Sequence, residues 1–471
     1  MRRLLAGFFL LLGGTTLSGA AAPAPVVKAF TLTPAVAPVP ALKYQLLPPA
    51  GDLTPGNAAT IYYRGLTPEY VSHRREKDID EKMTRWRNTS LKDLPLGEMA
   101  WLRRYRPLLD CDEAARRQMC DWDLVARIRK EGFAAPLGDL QIMRDPARLL
   151  QLRARLEMAS GQTDRAVYTL QTALGQARHL SESPTLITAL IAAACASMAL
   201  DEVEELIQQP ETPNLYWALS ALPRPFIDMR QPIDGERAMI TAQFGDVKVL
   251  SAGPLPREQL DQLQERHLSI WGLTIKAEEA AQELAAQVEK LYPEAHKKLI
   301  QAGFKADHLK TFPPYQVVLL QALREYQASF DDAAKWLLFP YWQSRPRLQE
   351  LAKSAASEKH NLLVWLSKPL NDGDDTPSTV VAKIASSPAR IDRRIAVLRC
   401  IEAVRLHAAK TGELPKTLAG ITVVPVPIDP ITGKEFEYQL KEKVAIITLP
   451  TPEGLSPPAA GAARYELSLA K

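Results

Sequence analysis

The sequence predicts a mainly α protein, an irregular helical bundle or helical-hairpin array, carrying a small C-terminal α+β module made of one helix and a short antiparallel sheet. Three observations lead there. Leucines and alanines recur at helical spacing through Arg148 to Leu222, helical patterns dominate again from Pro256 onward, and three short apolar or alternating runs close the chain after Phe436. The implied division is a leader over 1–22, a proline-rich extended linker or strap over 23–68, a helical domain over 69–370, a linker over 371–390 and the α+β module over 391–471.

From the beginning, Met1 to Ala22 places Arg2 and Arg3 before an apolar run from Leu4 to Leu12 and small residues from Ser18 to Ala22. That is the layout of a secretory signal peptide, and it predicts export to the periplasm or beyond, with a tether to the membrane if the leader is not removed. The apolar run is short for a span, and no later stretch approaches about 18 uninterrupted apolar residues. No stable membrane span is therefore expected after the leader. The roughly 450 residues beyond it are enough for two or three domains. A hydrophobic share of 46%, a charged share of 24% and a formal net charge of +4 describe an ordinary folded protein and exclude a dedicated nucleic-acid binder.

Prolines at 23, 25, 34, 38, 40, 48, 49 and 55 remove backbone donors and keep the next segment extended. Its second half, Ala41 to Arg64, has enough Leu and Tyr to dock as a strap. Glu69 to Arg87 is mixed in charge and reads as a solvated helix, and Gly97 to Met119 as the next helical segment. Cys111 and Cys120 flank the end of that segment, and in an oxidising compartment they form a possible disulfide. Nine residues of continuous helix would hold them about 13 Å apart, beyond the ~4.4–6.8 Å between Cα atoms that a bridge needs, so the helix must end between them. A metal site there lacks further nearby His or Cys. Cys195 and Cys400 sit in apolar helical contexts and read as buried thiols.

In the central stretch Leu149, Leu152, Leu156 and Ala159 form one helical stripe, Gly161 interrupts, and Ala166, Leu170, Ala173, Leu174 and Ala177 form the next. Pro184 to Leu206 continues the helical pattern. Asn214 to Arg230 places Leu215, Tyr216, Trp217, Leu219 and Leu222 in a short helix closed by Pro223 and Pro225, with core packing as the expected role. Glu236 to Leu250 carries no decisive period and is compatible with helix. Helices are expected over Arg257 to Trp271 and Ala277 to Tyr292, with a new one starting at Pro293. Tyr315, Val318, Leu319, Ala322, Leu323, Tyr326 and Phe330 form a core stripe; with Trp336 and Phe339 to Trp342 behind it, an aromatic groove for a peptide or sugar is the alternative. Asn371 to Pro377 is acidic and loop-like but lacks the ligand alternation of a calcium loop. A helix over Asp392 to Lys410 is stopped by Thr411 and Gly412, a Pro-Gly turn follows at Asp429 to Gly433, and strands follow at Phe436 to Leu440, Val444 to Leu449 and Tyr465 to Leu469.

Three resemblances accompany this reading. Gly161, Ala166, Leu170 and Ala173 resemble the turn and second helix of a tetratricopeptide hairpin. The stretches ALKYQLLPPAGDLTPGNAATIYYR, NLYWALSALPRPFIDMR and LPKTLAGITVVPVPIDPITGKEFEYQL together resemble a family of uncharacterised exported proteins of planctomycete bacteria, which implies export and architecture but no activity. TGELPKTL followed by DPITGKEFEY is similar to the globular head of type II secretion pseudopilins, although Lys28 to Leu32, which echoes their processing site, runs into Thr33 and Pro34 rather than a membrane helix.

No G-x-S-x-G, H-E-x-x-H, C-x-x-C or phosphate-binding glycine loop is present. The seven histidines, at 73, 179, 267, 296, 308, 360 and 407, stand singly. No catalytic, cofactor-binding or metal-ligating residue is assigned, and no cofactor is expected. The expected function is that of an exported helical binding or scaffold protein with a protein partner in the cell envelope. An accessory role in type II secretion and an enzyme without a recognisable motif are the alternatives.

Overall fold

A computed structural model describes residues 26–66, 77–271, 277–367, 375–451 and 464–470. The expected leader and the first residues of the acidic 371–377 loop lie outside them, as does part of the charged helix before Lys77. The architecture is mainly α with a small sheet formed near the C-terminus.

The strap is more than a linker. Its residues Val27–Leu32 form strand β1, Thr54–Asn57 form β2, and Ala58–Gly65 form helix α1, opened by the Asn57 side chain accepting from the Ala59 amide. Lys77–Asn88 is α2. The helix expected over Gly97 to Met119 is broken up: Arg106–Ala114 is α3, and Arg117–Met119 is strand β3, paired in parallel with β2. Leu124–Glu131 is α4.

The central hairpin is as the spacing predicts. Arg144–Ala159 (α5) and Thr163–Ser181 (α6) are joined through Gly161 at φ +70°, a conformation glycine adopts without strain. Both pack on Leu186–Ile207 (α7), and Leu152, Leu156, Leu170 and Leu174 all point into the core. Among the described residues α7 is the one helix long and apolar enough to cross a membrane, and 72% of its apolar window is buried within the protein. Tyr216–Ser220 is α8, Arg230–Phe244 α9, Val247–Ala252 α10 and Arg257–Trp271 α11. The new helix expected at Pro293 does not form. Ala277–Gln301 (α12) is continuous through that proline, because burial of Leu284, Val288, Ala295 and Leu299 on both sides of it offsets the single lost backbone bond. Pro314–Ala334 is α13, Tyr341–Ser354 α14 and Leu362–Ser367 α15.

The expected linker before residue 391 is helix. Pro377–Thr411 (α16) runs for 35 residues straight through Pro388 and the anticipated boundary. It packs against α7, α13 and α14, so the helical body and the C-terminal module share it as a spine. Gly412 at φ +81° ends it. The sheet that follows has order β1-β6-β5-β4, with β4 at Glu437–Lys441, β5 at Val444–Thr448 and β6 at Arg464–Leu469. Strands β4, β5 and β6 are antiparallel as expected, but β1 joins β6 in parallel, from Val27 opposite Arg464 to Leu32 opposite Leu469, so the sheet is mixed. The segment that echoes a pseudopilin processing site is therefore an edge strand, with Phe30 edge-on to Tyr465 at 5.4 Å.

Buried ion pairs fasten these parts. Glu204 on α7 accepts from Lys28 of β1, from Arg394 of α16 at 2.7 Å and from the Tyr465 hydroxyl of β6 at 3.0 Å. On α16, the fully buried Arg405 donates to both Glu402 oxygens at 3.0 Å, to the Thr33 carbonyl at 3.0 Å and to the Thr212 carbonyl at 3.0 Å. Asn214 donates to Glu402 at 2.6 Å.

Candidate functional site

Helix α16 starts with a capping box between Thr376 and Thr379 and with Pro377 in its first turn. Its middle, from Ala385 to Arg399, forms the floor of a cleft of about 670 Å³. Three proline-marked segments wall it: Pro223 to Met229 after α8, Leu337 to Trp342 at the start of α14, and Pro425 to Pro430 before the sheet. The prolines fix these walls because each has one frozen backbone dihedral. Leu338, Phe339, Trp342 and Ile428 stay exposed on the wall segments, Phe339 by 54% and Ile428 by 50%.

The walls are held in place individually. Gly433 sits at φ +70° beneath Trp342, where an added Cβ would fall 2.5 Å from the indole ring. The 429–433 turn is closed by the Gly433 amide donating to the Asp429 carbonyl at 2.8 Å, and Arg393 of α16 anchors it by donating to the buried Asp429 carboxylate at 2.7 Å and to the Pro450 carbonyl at 2.8 Å. On the opposite wall, the Phe226 amide donates to Asp392 Oδ1 at 2.9 Å. Tyr216 donates to the Pro425 carbonyl at 2.6 Å, tying α8 to the third wall.

Three charges line the cleft: Arg224, Asp392 and Arg399. Burial pushes the Asp392 carboxyl up to about 6, although the Phe226 amide and the Arg224 charge both favour its ionised form. Both guanidiniums converge on Ser220, Arg224 Nη2 donating to its carbonyl at 2.9 Å and Arg399 Nε to its hydroxyl at 3.0 Å. Arg399 lies over the Tyr216 ring, 5.5 Å from its centroid. The Arg224 guanidinium is held below its usual range, first by burial and then by the charge of Arg399.

Of the residues singled out in the sequence, few reach this cleft. Phe339 to Trp342 do line it, where a groove was only the alternative to core packing, whereas the stripe before them is core, with Tyr315, Val318, Leu319, Leu323 and Phe330 all buried. Leu215, Tyr216, Leu219 and Leu222 are core, but the prolines that close their helix are wall. Cys111 and Cys120 lie on either side of a helix end, the arrangement a bridge would need, and both thiols are free. Burial raises the thiols of Cys111, Cys195 and Cys400, the last two to about 12, so none is a ready nucleophile. His179 bonds Tyr62 at 3.1 Å, and His267 is held between the Tyr315 hydroxyl and the Gln243 carbonyl. Burial pushes His267 down to about 4, which makes it a neutral core residue; His73 lies outside the described residues. Among the described residues no group of three or more His, Cys, Asp or Glu is placed to hold a metal ion.

Sequence reasoning missed Arg224, Asp392 and Arg399. Arg224 and Arg399 are isolated charges and Asp392 is one member of the charged run Arg390 to Arg394; the legible signal was the set of proline-flanked bulky motifs, PRPF, FPYW and PVPIDP, whose convergence only the fold reveals. The described lining supplies a single carboxyl, the hydroxyls of Tyr341 and Ser344, and no His, Cys or Lys. What it offers is an apolar surface into which Arg224, Asp392 and Arg399 are set. Fold and cleft thus define a mainly α protein with an open, proline-walled groove. No protein-family model matches the chain, no curated protein does, and no solved structure does.

Proposed function

We propose that this is an exported binding or scaffold protein that holds a protein partner of the cell envelope in the cleft on α16. The observation that carries the reading is the cleft itself, about 670 Å³, open, apolar and walled by segments of fixed backbone. Recognition grooves for extended peptides combine aromatic and apolar walls with a few polar groups that set orientation. Leu338, Phe339, Trp342 and Ile428 expose apolar side chains on these walls, and apolar surface gathered in a groove is a feature of interaction sites. The leader-like layout of Met1 to Ala22 supports export.

The test places a photo-reactive benzoyl-phenylalanine at Phe339 in the full-length chain in its own cells. Val249, exposed and outside the cleft, is the control position. The expected result is one discrete protein adduct from position 339 that is absent from 249 and lost when Trp342→Ala is added. Equal labelling from both positions, or none, overturns the reading.

A further inference from the structure

Resting on the binding reading above, we propose that Arg224 on the wall and Arg399 on the floor form a carboxylate-recognition pair, so that the partner segment is an extended apolar peptide carrying one acidic side chain.

Elsewhere the protein pairs its buried arginines with carboxylates, and of the two cleft arginines Arg399 is buried while Arg224 is exposed. Arg153 makes two bonds to Asp112 at 2.6 and 2.9 Å, Arg393 pairs with Asp429, Arg394 with Glu204 and Asp201, and Arg405 with Glu402. In each the desolvated guanidinium is neutralised by a carboxylate, as burial of a charge requires. Among the described residues Arg224 and Arg399 have no such ion pair. Arg399 is nevertheless only 9% exposed and lines the cleft.

The two side chains are also positioned as a unit. Each uses one nitrogen on Ser220, at 2.9 and 3.0 Å, which fixes two forks of donors side by side and leaves their remaining N–H groups for a ligand. Paired or forked guanidiniums match the geometry of a carboxylate, whose two oxygens accept in parallel. Asp392 offsets part of their mutual repulsion, an arriving anion would relieve the rest, and the apolar walls strengthen any such contact by excluding water. Charge balance selects the class of anion. With Asp392 ionised, the lining carries a single net positive charge, which one carboxylate neutralises and a phosphate dianion would overshoot. Apolar flanks on the ligand follow from the exposed Phe339, Trp342 and Ile428 on the walls.

The experiment is selection of random octapeptides displayed on phage against the intact full-length protein, run in parallel on wild type, Arg224→Met, Arg399→Met and the doubly altered Phe339→Ala, Trp342→Ala protein. The expected result is a wild-type pool rich in apolar residues with one Asp or Glu. A synthetic peptide from that pool should lose roughly ten- to hundredfold in affinity when its acid is changed to the amide, the scale for removing a charge-assisted hydrogen bond. Arg224→Met, at a solvent-reachable position, should erase that acid–amide difference, and so should Arg399→Met if its circular dichroism matches wild type. A wild-type pool that depends on Phe339 and Trp342 but shows no acidic preference overturns the carboxylate pair and leaves the binding reading standing. A pool no different from that of the doubly altered protein overturns the binding reading itself.

Discussion

Replacing Arg405 by Met would expose what the buried polar pin on α16 contributes. The native guanidinium donates to two Glu402 oxygens and to the carbonyls of Thr33 and Thr212, all at 3.0 Å, and neither Arg405 nor Glu402 has any exposed surface. Removing one partner of a buried pair typically costs about 3–5 kcal/mol, because the other charge is left without compensation. The carboxyl left behind can escape by protonation. Burial already raises Glu402, against the pull of Arg405 and Asn214, so in the variant it is raised further. A raised acid adds stability at low pH that is lost as pH climbs through its folded pKa, with a slope of up to about 1.4 kcal/mol per pH unit. Urea unfolding of R405M should therefore show a loss of about 3–5 kcal/mol at pH 8 that shrinks towards pH 5. Because Arg405 Nε also holds the Thr33 carbonyl just beyond β1, amide exchange over Val27–Leu32 should accelerate. The double substitution R405M/E402L removes the stranded charge and should recover most of the loss. A deficit below about 1 kcal/mol at pH 8, or one that does not change with pH, would refute the reasoning.

Other predictions are more local. Gly235→Ala would put a Cβ 1.6 Å from the Pro184 carbonyl oxygen, backbone against helix, and should cost several kcal/mol, at or above the usual ~1–3 for overpacking; Gly253→Ala, with open space and extended backbone, should lie within about 0.5 kcal/mol of wild type in the same melt. Affinity for an acidic peptide should rise as pH falls from 7.5 to 5.5, because Asp392, with its carboxyl near 6, then loses the charge that repels the ligand. Arg224 and Arg399 keep theirs, Tyr341 is the remaining titratable group in the lining, and Asp392→Asn should tighten binding at pH 7.5 and flatten the profile in fluorescence titrations. Glu202, buried on α7 and raised to about 8, contributes stability below its ordinary range that is lost as pH rises towards 8, so Glu202→Gln should reduce the decline in Tm between pH 6 and 8.5. Thiol titration without reductant should find all four cysteines in denaturant; finding two would establish the 111–120 bridge.

The periodic parts of this fold were legible, because a buried helix face writes itself into spacing. Leu149 to Ala177 and the strands after Phe436 fell where the pattern put them, within about a residue at the strand ends. Errors gathered at prolines. Pro293 read as the start of a new helix and 371–390 as a linker, yet burial of Leu284, Leu299, Ile384 and Ile395 around Pro293 and Pro388 outweighs the roughly 3 kcal/mol that an interior proline costs. Strand β1 was hidden among prolines for another reason: Phe30 and Leu32 alternate inward, but the strand that makes them core lies at the far end of the sequence. The candidate site was the least legible, since recognition by a few charges has no local signature and Arg224, Asp392 and Arg399 gain meaning only beside Ser220.

The parallel pairing of β1 with β6 imposes an order of events on the folding chain. Val27 is among the first of the described residues to be synthesised and Arg464 among the last, so the sheet cannot close until β6 has been made. Until then Phe30, Leu32 and the Lys28 end of the Glu204 pair wait without partners, and loop closure over such a separation is among the slowest steps a chain can require. Completion of β1 thus depends on β6: a product truncated before β6 lacks the partner for its own first strand, and leaves both the strap and the Glu204 cluster unfinished.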